Sequence, residues 1–279
     1  MTPADPWNED LLWQAHRGME LGRAHCTCEG RYHWSYGILR AAGVTSSLRM
    51  EEAMLASLMS PLIGDHARVM IGGSADPGLL CVVGRFSAAR RPQITIVDRC
   101  RAPLALIEEF TASRTLDCRT LQADLLAFEG RGPWDNILLH YTADFVVAGS
   151  RLRFFNSLAA SLAPGGTLVC VSMSGPKVPP ERKRDLKSAL RDYTLNGLRQ
   201  SPLAAQEQDP EFARMLDDYT EACALRRLNY PATNELRDLL GQAAFRIMTE
   251  HVTPRRRRFF EIDPTTEPDT SSIIIATRD

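Results

Sequence analysis

Seven residues, Gly72-Gly73-Ser74-Ala75-Asp76-Pro77-Gly78, separate a short apolar run, Val69 to Ile71, from an apolar helical stretch, Leu79 to Phe86. Glycine lets a backbone approach a ligand closely, and the amides that open a helix attract an anionic group. Asp76 is suited to cap that helix, with Pro77 at its first position. The loop is neither Gly-x-Gly-x-x-Gly nor Gly-x4-Gly-Lys-Ser/Thr, so the dinucleotide fingerprint and the P-loop both fail. Asp98 follows the run Ile94 to Val97, and a carboxylate at the tip of a second strand can accept hydrogen bonds from two ribose hydroxyls. Asp124 ends the stretch Cys118 to Ala123, where it can accept from an adenine amino group. Either acid alone is ordinary as a helix cap. The ordered set of glycine loop, Asp98 with Arg99, and Asp124 with Leu125 points to a nucleoside-bearing ligand.

Two further groups could do chemistry. His140 and Tyr141 end the run Trp134 to His140, at the strand end where α/β sites form, and are candidate bases. Tyr32, His33, Trp34 and Tyr36 crowd one helical segment. The aromatics there could line a substrate pocket and surround a cation, and His33 is a third candidate catalytic group. His25, Cys26, Cys28 and His33 also lie within nine residues. Zinc sites usually use Cys-x2-4-Cys, and no second cysteine pair exists in the sequence. The expectation is therefore no metal, and a helix junction instead.

These residues must be held by a regular scaffold. The first 65 residues read as helices, Trp7 to Ala24, Arg31 to Ala42 and Ser46 to Leu62, with Pro61 marking an end. From Ala67 onward strands alternate with helices: Val69 to Ile71, Ile94 to Val97, Cys118 to Ala123, Trp134 to His140 and Thr167 to Ser172. The helices lie at Leu79 to Phe86, Pro103 to Ser113 and Ser150 to Leu162, and Ala163 to Gly166 reads as a turn. Such alternation predicts a parallel sheet covered on both faces. Charged amphipathic segments, Glu181 to Leu198 and Asp209 to Leu228, interrupt it. Helix Thr233 to Ala243 and strands Phe245 to Val252 and Ser271 to Ala276 complete the chain. The expected organisation is a helical cap (1–65), a cofactor-binding core (66–174), a helical insertion or lid (175–231) and the rest of the core (232–279).

Composition narrows the partners. The chain carries 33 basic and 34 acidic residues, a net charge of -1, which disfavours a polyanionic partner. Only three of the basic residues are Lys (Lys177, Lys183, Lys187), so lysine nucleophiles are scarce. The one arginine run, Arg255 to Arg258, reads as a solvated hairpin between the last two strands. No apolar run approaches the roughly 18 residues that span a bilayer, and no signal peptide is visible. Seven scattered cysteines suit free thiols. Together these features predict a cytoplasmic chain with a small-molecule partner, no nucleic acid and no membrane, and they leave room for a homodimer.

The stretch from Val69 to Ser172 resembles the class I S-adenosylmethionine-dependent methyltransferases. It carries their glycine loop (Gly72, Gly73, Ser74, Asp76, Gly78), second-strand acid (Asp98), third-strand acid (Asp124) and a fourth strand, Trp134 to His140. The turn and strand Leu162 to Ser172 and the late helix and strand Thr233 to Ile247 are similar as well. The resemblance implies a doubly wound, seven-stranded, mostly parallel Rossmann-like sheet whose last strand, Ser271 to Ala276, is antiparallel. It implies S-adenosyl-L-methionine as cofactor, and methyl transfer to an oxygen or nitrogen of a small molecule. The sequence departs from the family at the first strand. The usual terminal acid is replaced by Met70 and Ile71, and the usual glycine pair by Gly73-Ser74-Ala75. Contact with the methionine amino group then falls to Asp76 or a carbonyl near Gly72. Aminobutyryl transfer, cyclisation releasing methylthioadenosine and non-catalytic cofactor binding are the alternatives. A nicotinamide dehydrogenase ranks last, because the fingerprint is missing.

Overall fold

The computed structural model describes residues 6–28, 31–45, 47–128, 131–175, 178–232, 234–255 and 269–278. Its seven strands are β1 (Arg68–Gly72), β2 (Gln93–Asp98), β3 (Cys118–Gln122), β4 (Trp134–His140), β5 (Leu162–Ser174), β6 (Phe245–Arg255) and β7 (Asp269–Arg278). They form one sheet in the order β3-β2-β1-β4-β5-β7-β6. The first five pair in parallel, and β7 runs antiparallel to both neighbours. The order reverses at β1, between β2 and β4, which places a crevice beyond the carboxyl ends of those strands.

Period-2 alternation divides the core. Val69 and Ile71 of β1 pack on one face with Ile94 and Ile96, against α3 (Ser47–Met59) and α4 (Gly78–Ser87) through Leu55, Met59, Leu80 and Val83. Met70 and Val97 point to the other face, where Phe154, Phe155 and Leu158 of α6 (Arg151–Ser161) cover Ile137 and Leu139. Helix α5 (Arg101–Ala112) follows β2, and α9 (Glu235–Gln242) leads into β6.

A third core belongs to helices alone. Ala15 of α1 (Leu11–His25) and Trp34, Ile38 and Leu39 of α2 (Tyr32–Ala41) pack with Leu190 and Leu198 of α7 (Lys183–Arg199). Phe212, Met215, Leu216 and Tyr219 of α8 (Pro210–Leu228) complete it. The two helical segments far apart in the chain therefore share one apolar interior, because neither can bury its stripe alone.

Several boundaries differ from the sequence reading, two of them by more than a residue or two at a turn. Strand β5 begins at Leu162 rather than Thr167, since Leu162 pairs with Trp134 before the register shifts, although Gly165 keeps the positive φ of a turn. Helix α3 ends at Met59, and Pro61 sits in a following 3-10 turn. The arginine run lies outside the described residues except for the backbone of Arg255. Among the described residues, no helix is long and apolar enough to cross a membrane.

Candidate functional site

A cavity of about 420 Å³ opens at the carboxyl ends of β1, β2 and β4, beneath the helical layer. On the sheet side Gly73, Ser74, Asp76, Asp98, Arg99, Asp124 and Leu125 line it, and His140 and Tyr141 form the floor. On the helical side stand Tyr32, His33, Tyr36, Tyr219 and Arg226. Most of the residues singled out from the sequence thus converge on one space, although they come from separate elements.

The glycine loop is shaped from within. Gly73 has φ +73, and a Cβ there would sit 2.5 Å from Cγ2 of Thr142. Thr142 in turn donates to the Gly72 carbonyl at 2.6 Å. Gly72 and Gly78 do not line the cavity. A Cβ on Gly72 would meet Leu139, and one on Gly78 would meet the Arg40 guanidinium at 2.6 Å. Those two glycines face internal neighbours rather than the cavity.

Asp98 is buried, and its two oxygens accept from the amides of Ser74 at 3.2 Å and Cys100 at 2.7 Å. A carboxylate has about four acceptor sites, so capacity remains on the cavity side. Asp124 lines the cavity and caps the turn that follows it, accepting from the Leu126 amide at 2.9 Å through Oδ1. Asp76 is more constrained. Oδ1 accepts from Gly78 N at 2.8 Å, and Oδ2 accepts from Arg40 at 2.7 Å. Arg40 also pairs with Glu9 at 2.5 Å, and burial pushes the Glu9 carboxyl up. The N-cap position of α4 is held by Pro77, one residue later than the capping argument expects. Asp76 is thereby engaged with the protein, which weakens its reading as the acid for a methionine amino group.

The floor contains a group that the sequence reading missed as a site residue. Glu51 of α3 is buried. It faces His140 Nε2 at 2.9 Å through Oε2, and through Oε1 it accepts from Tyr141 OH at 2.5 Å and Ser271 Oγ at 2.9 Å. Its position was legible in principle, because Leu48, Glu51, Leu55 and Met59 occupy one helical stripe, and an acid on a buried stripe is unusual. Burial pushes the His140 imidazole down, to about 4, so the ring is neutral at pH 7. The contact with Glu51 fixes the orientation of the ring through Nε2. Tyr141 donates its hydroxyl to Glu51, so its phenol is committed to that network.

The helical wall is aromatic. Tyr32 stacks on Tyr219 with centroids 5.9 Å apart, meets Phe145 edge-on at 5.0 Å and touches Tyr36 at 5.4 Å. Burial raises the Tyr32 and Tyr36 phenols, keeping both protonated. Trp34 is the exception among the predicted aromatics. It is buried in the helical core, with Arg23 and Arg31 each 5.2 Å from its ring, and lies outside the cavity. The helical period turns residue 34 away from the face that carries residues 32 and 36.

Two charged residues complete the lining, and neither was singled out from the sequence. Asp144 is buried and accepts from Ser172 Oγ at 2.5 Å and Met173 N at 3.1 Å. Burial pushes its carboxyl up to about 6, and Arg226 opposes that shift. Arg226 lies over the Phe145 ring at 4.7 Å. Among the described residues no carboxylate pairs with it, and its Nε has no hydrogen-bond partner.

Cys28 and His33 also line the cavity. The sequence offers no second cysteine pair, but in three dimensions a single distant thiol joins the first. Cys100, which opens α5, brings its sulfur to Cys26, Cys28 and His33.

No protein-family model matches the chain, and no curated protein does. Solved structures match in fold. A Galdieria sulphuraria protein assigned as a sarcosine dimethylglycine methyltransferase has TM-score 0.56 and 11% identity, over 84% of this chain and 86% of that one. The [4+2]-cyclase SpnF has TM-score 0.53 and 12% identity, over 81% and 80%. Coclaurine N-methyltransferase, solved with N-methylheliamine and SAH, has TM-score 0.50 and 13% identity, over 81% and 72%. With its strand order and these likenesses, the chain has the fold of the class I S-adenosylmethionine-dependent methyltransferases.

Proposed function

We propose that this chain transfers the methyl group of S-adenosylmethionine to an oxygen or nitrogen atom of a small molecule that carries an anionic group. The observation that carries the reading is one cavity in which the Gly73 loop, Asp98 and Asp124 face an aromatic wall and Arg226, which pairs with no carboxylate among the described residues. Its volume falls within the few hundred Å³ usual for small-molecule sites.

The residues present fit the cofactor. Gly73 bares its backbone to the cavity where a Cβ would collide with Thr142. Asp98 has acceptor capacity for ribose hydroxyls, and Asp124 has a second oxygen for an exocyclic amine. When bound, the cofactor supplies a sulfonium methyl group already activated for displacement. The chain is then left with positioning, charge and proton transfer. The faces of Tyr32, Tyr36 and Tyr219 favour a neighbouring cation. Arg226 presents a planar fork suited to a carboxylate or phosphate. His140, oriented by Glu51, lines the cavity and can accept a hydrogen bond from an acceptor hydroxyl as the methyl group is transferred.

Calorimetry with S-adenosylhomocysteine and with NAD tests the cofactor, and binding of NAD alone rejects it. Incubation with S-adenosylmethionine and a panel of anionic acceptors tests the reaction. S-adenosylhomocysteine as product supports methyl transfer. Methylthioadenosine instead supports the rival use of the aminobutyryl arm, which the engaged state of Asp76 and the missing strand-end acid favour. Tight binding with no product from any acceptor supports a non-catalytic role.

A further inference from the structure

We propose that Cys26, Cys28, His33 and Cys100 form a zinc site that pins the start of α2 to the loop following Asp98. Each residue offers one ligand atom, and the four atoms all lie within 4.8 Å of one another. Cys26 Sγ and His33 Nδ1 are 3.6 Å apart. All three cysteines are free thiols. A tetrahedral ion with zinc–sulfur bonds of about 2.3 Å and a zinc–nitrogen bond of about 2.0–2.1 Å needs ligand atoms roughly 3.5–3.8 Å apart. The cluster is within a small contraction of that shape.

The donor set selects the metal. Three thiolates and one imidazole suit zinc and disfavour magnesium or calcium, which take oxygen ligands. The residues come from three places that only the fold unites. Cys26 follows the last turn of α1, His33 stands in the first turn of α2, and Cys100 opens α5 directly after β2. Cys26 and Cys28 are partly exposed and Cys100 is buried, so an ion could enter from the helical side and close the inner position last. Loading would release the thiol protons to solvent as each sulfur becomes a ligand.

Four protein ligands leave no open coordination position, so the site is structural and does not activate substrate. Its effect falls on neighbours. The Cys100 amide holds Asp98 Oδ1, and α2 carries Tyr32, Tyr36 and Arg40. One ion would fix the acceptor side of the cavity relative to its ribose side. In this arrangement His33 is a ligand and is no longer a candidate base. The metal site does not depend on the methyl-transfer reading, and its readouts are separate from activity.

The test uses the full chain, produced in zinc-supplemented medium and purified under reducing conditions without chelators or an affinity tag that binds metal. Elemental analysis should find one zinc per chain. Replacement by cobalt should give the strong visible bands of a tetrahedral ion and a near-ultraviolet thiolate-to-cobalt band. Both Cys100→Ser and His33→Ala should lose most of the metal. His33→Cys should keep it with an altered cobalt spectrum, a rescue that a folding defect would not show. Zinc-free wild type that also fails to take up cobalt overturns the proposal. So does full metal retention by Cys100→Ser and His33→Ala together, or an intact mass showing a disulfide among the three cysteines in freshly isolated protein.

Discussion

Arg40 donates to Asp76 at 2.7 Å while pairing with Glu9 on its other side, so one guanidinium joins α2, the glycine loop and the segment before α1. The Arg40 and Asp76 side chains are 11% and 6% exposed, which places the pair in the buried regime. There, loss of one partner leaves an uncompensated charge and costs about 3–5 kcal/mol. Arg40→Met should lower stability by that order in urea denaturation. It should also weaken binding of S-adenosylhomocysteine, because Asp76 would no longer be held against the Gly78 amide. A change within experimental error would show that Asp76 is held by its loop alone.

Asp98 should dominate cofactor affinity. Asp98→Ala removes acceptors for ribose hydroxyls and also frees the Ser74 and Cys100 amides. The expected loss is about 1.5–3 kcal/mol, roughly ten- to a hundredfold in Kd for S-adenosylhomocysteine by calorimetry. Unchanged affinity removes Asp98 from the binding site.

Gly73 should resist substitution for two separable reasons. Its φ of +73 penalises any side chain, and Thr142 occupies the space of a Cβ. Gly73→Ala should cost about 1–3 kcal/mol. Adding Thr142→Ala relieves the collision but not the backbone strain. The double variant should therefore be less destabilised than the sum of the singles, and strict additivity would exclude the contact.

The His140 and Asp144 shifts act in opposite senses on acid stability. The His140 value falls from 6.5 to about 4 on folding, so the unfolded chain takes up its proton first. Its contribution is full above pH 6.5 and is lost as pH falls toward 4. The Asp144 value rises from 3.8 to about 6, so the folded chain takes up that proton first, and stability is gained as pH falls from 6 toward 4. In urea titrations between pH 8 and 4, His140→Gln should flatten the acid loss and Asp144→Asn should steepen it. An unchanged pH slope in both variants would mean that the two groups titrate near their ordinary values.

Arg226→Leu should separate acceptor from cofactor. Losing a charge-assisted bond costs about 1.5–3 kcal/mol, so the KM of an anionic acceptor should rise roughly tenfold or more. The Kd for S-adenosylhomocysteine and the KM of an uncharged analogue should hold steady. An equal effect on charged and uncharged acceptors would assign Arg226 to packing on Phe145.

The alternation of strands and helices, the glycine loop and the acids Asp98 and Asp124 were all readable along the chain. Each depends on residues close in sequence: an apolar period, a loop between two such periods, or a carboxylate where a strand must stop. What surrounds them was not readable in that way. Glu51 meets Ser271 across 220 positions, Cys100 reaches the Cys26–His33 cluster from the start of α5, and Arg226 arrives on α8. No spacing rule connects such pairs, because they meet only when the sheet's parallel crossovers stack distant strand ends on one edge. Helices α1 and α2 must also share their apolar stripe with α7 and α8. Local periodicity determined the scaffold and the strand-end side of the cavity. Tertiary packing decided which charges are paired, that Arg226 reaches the cavity, and that three thiols and an imidazole lie within 4.8 Å of one another.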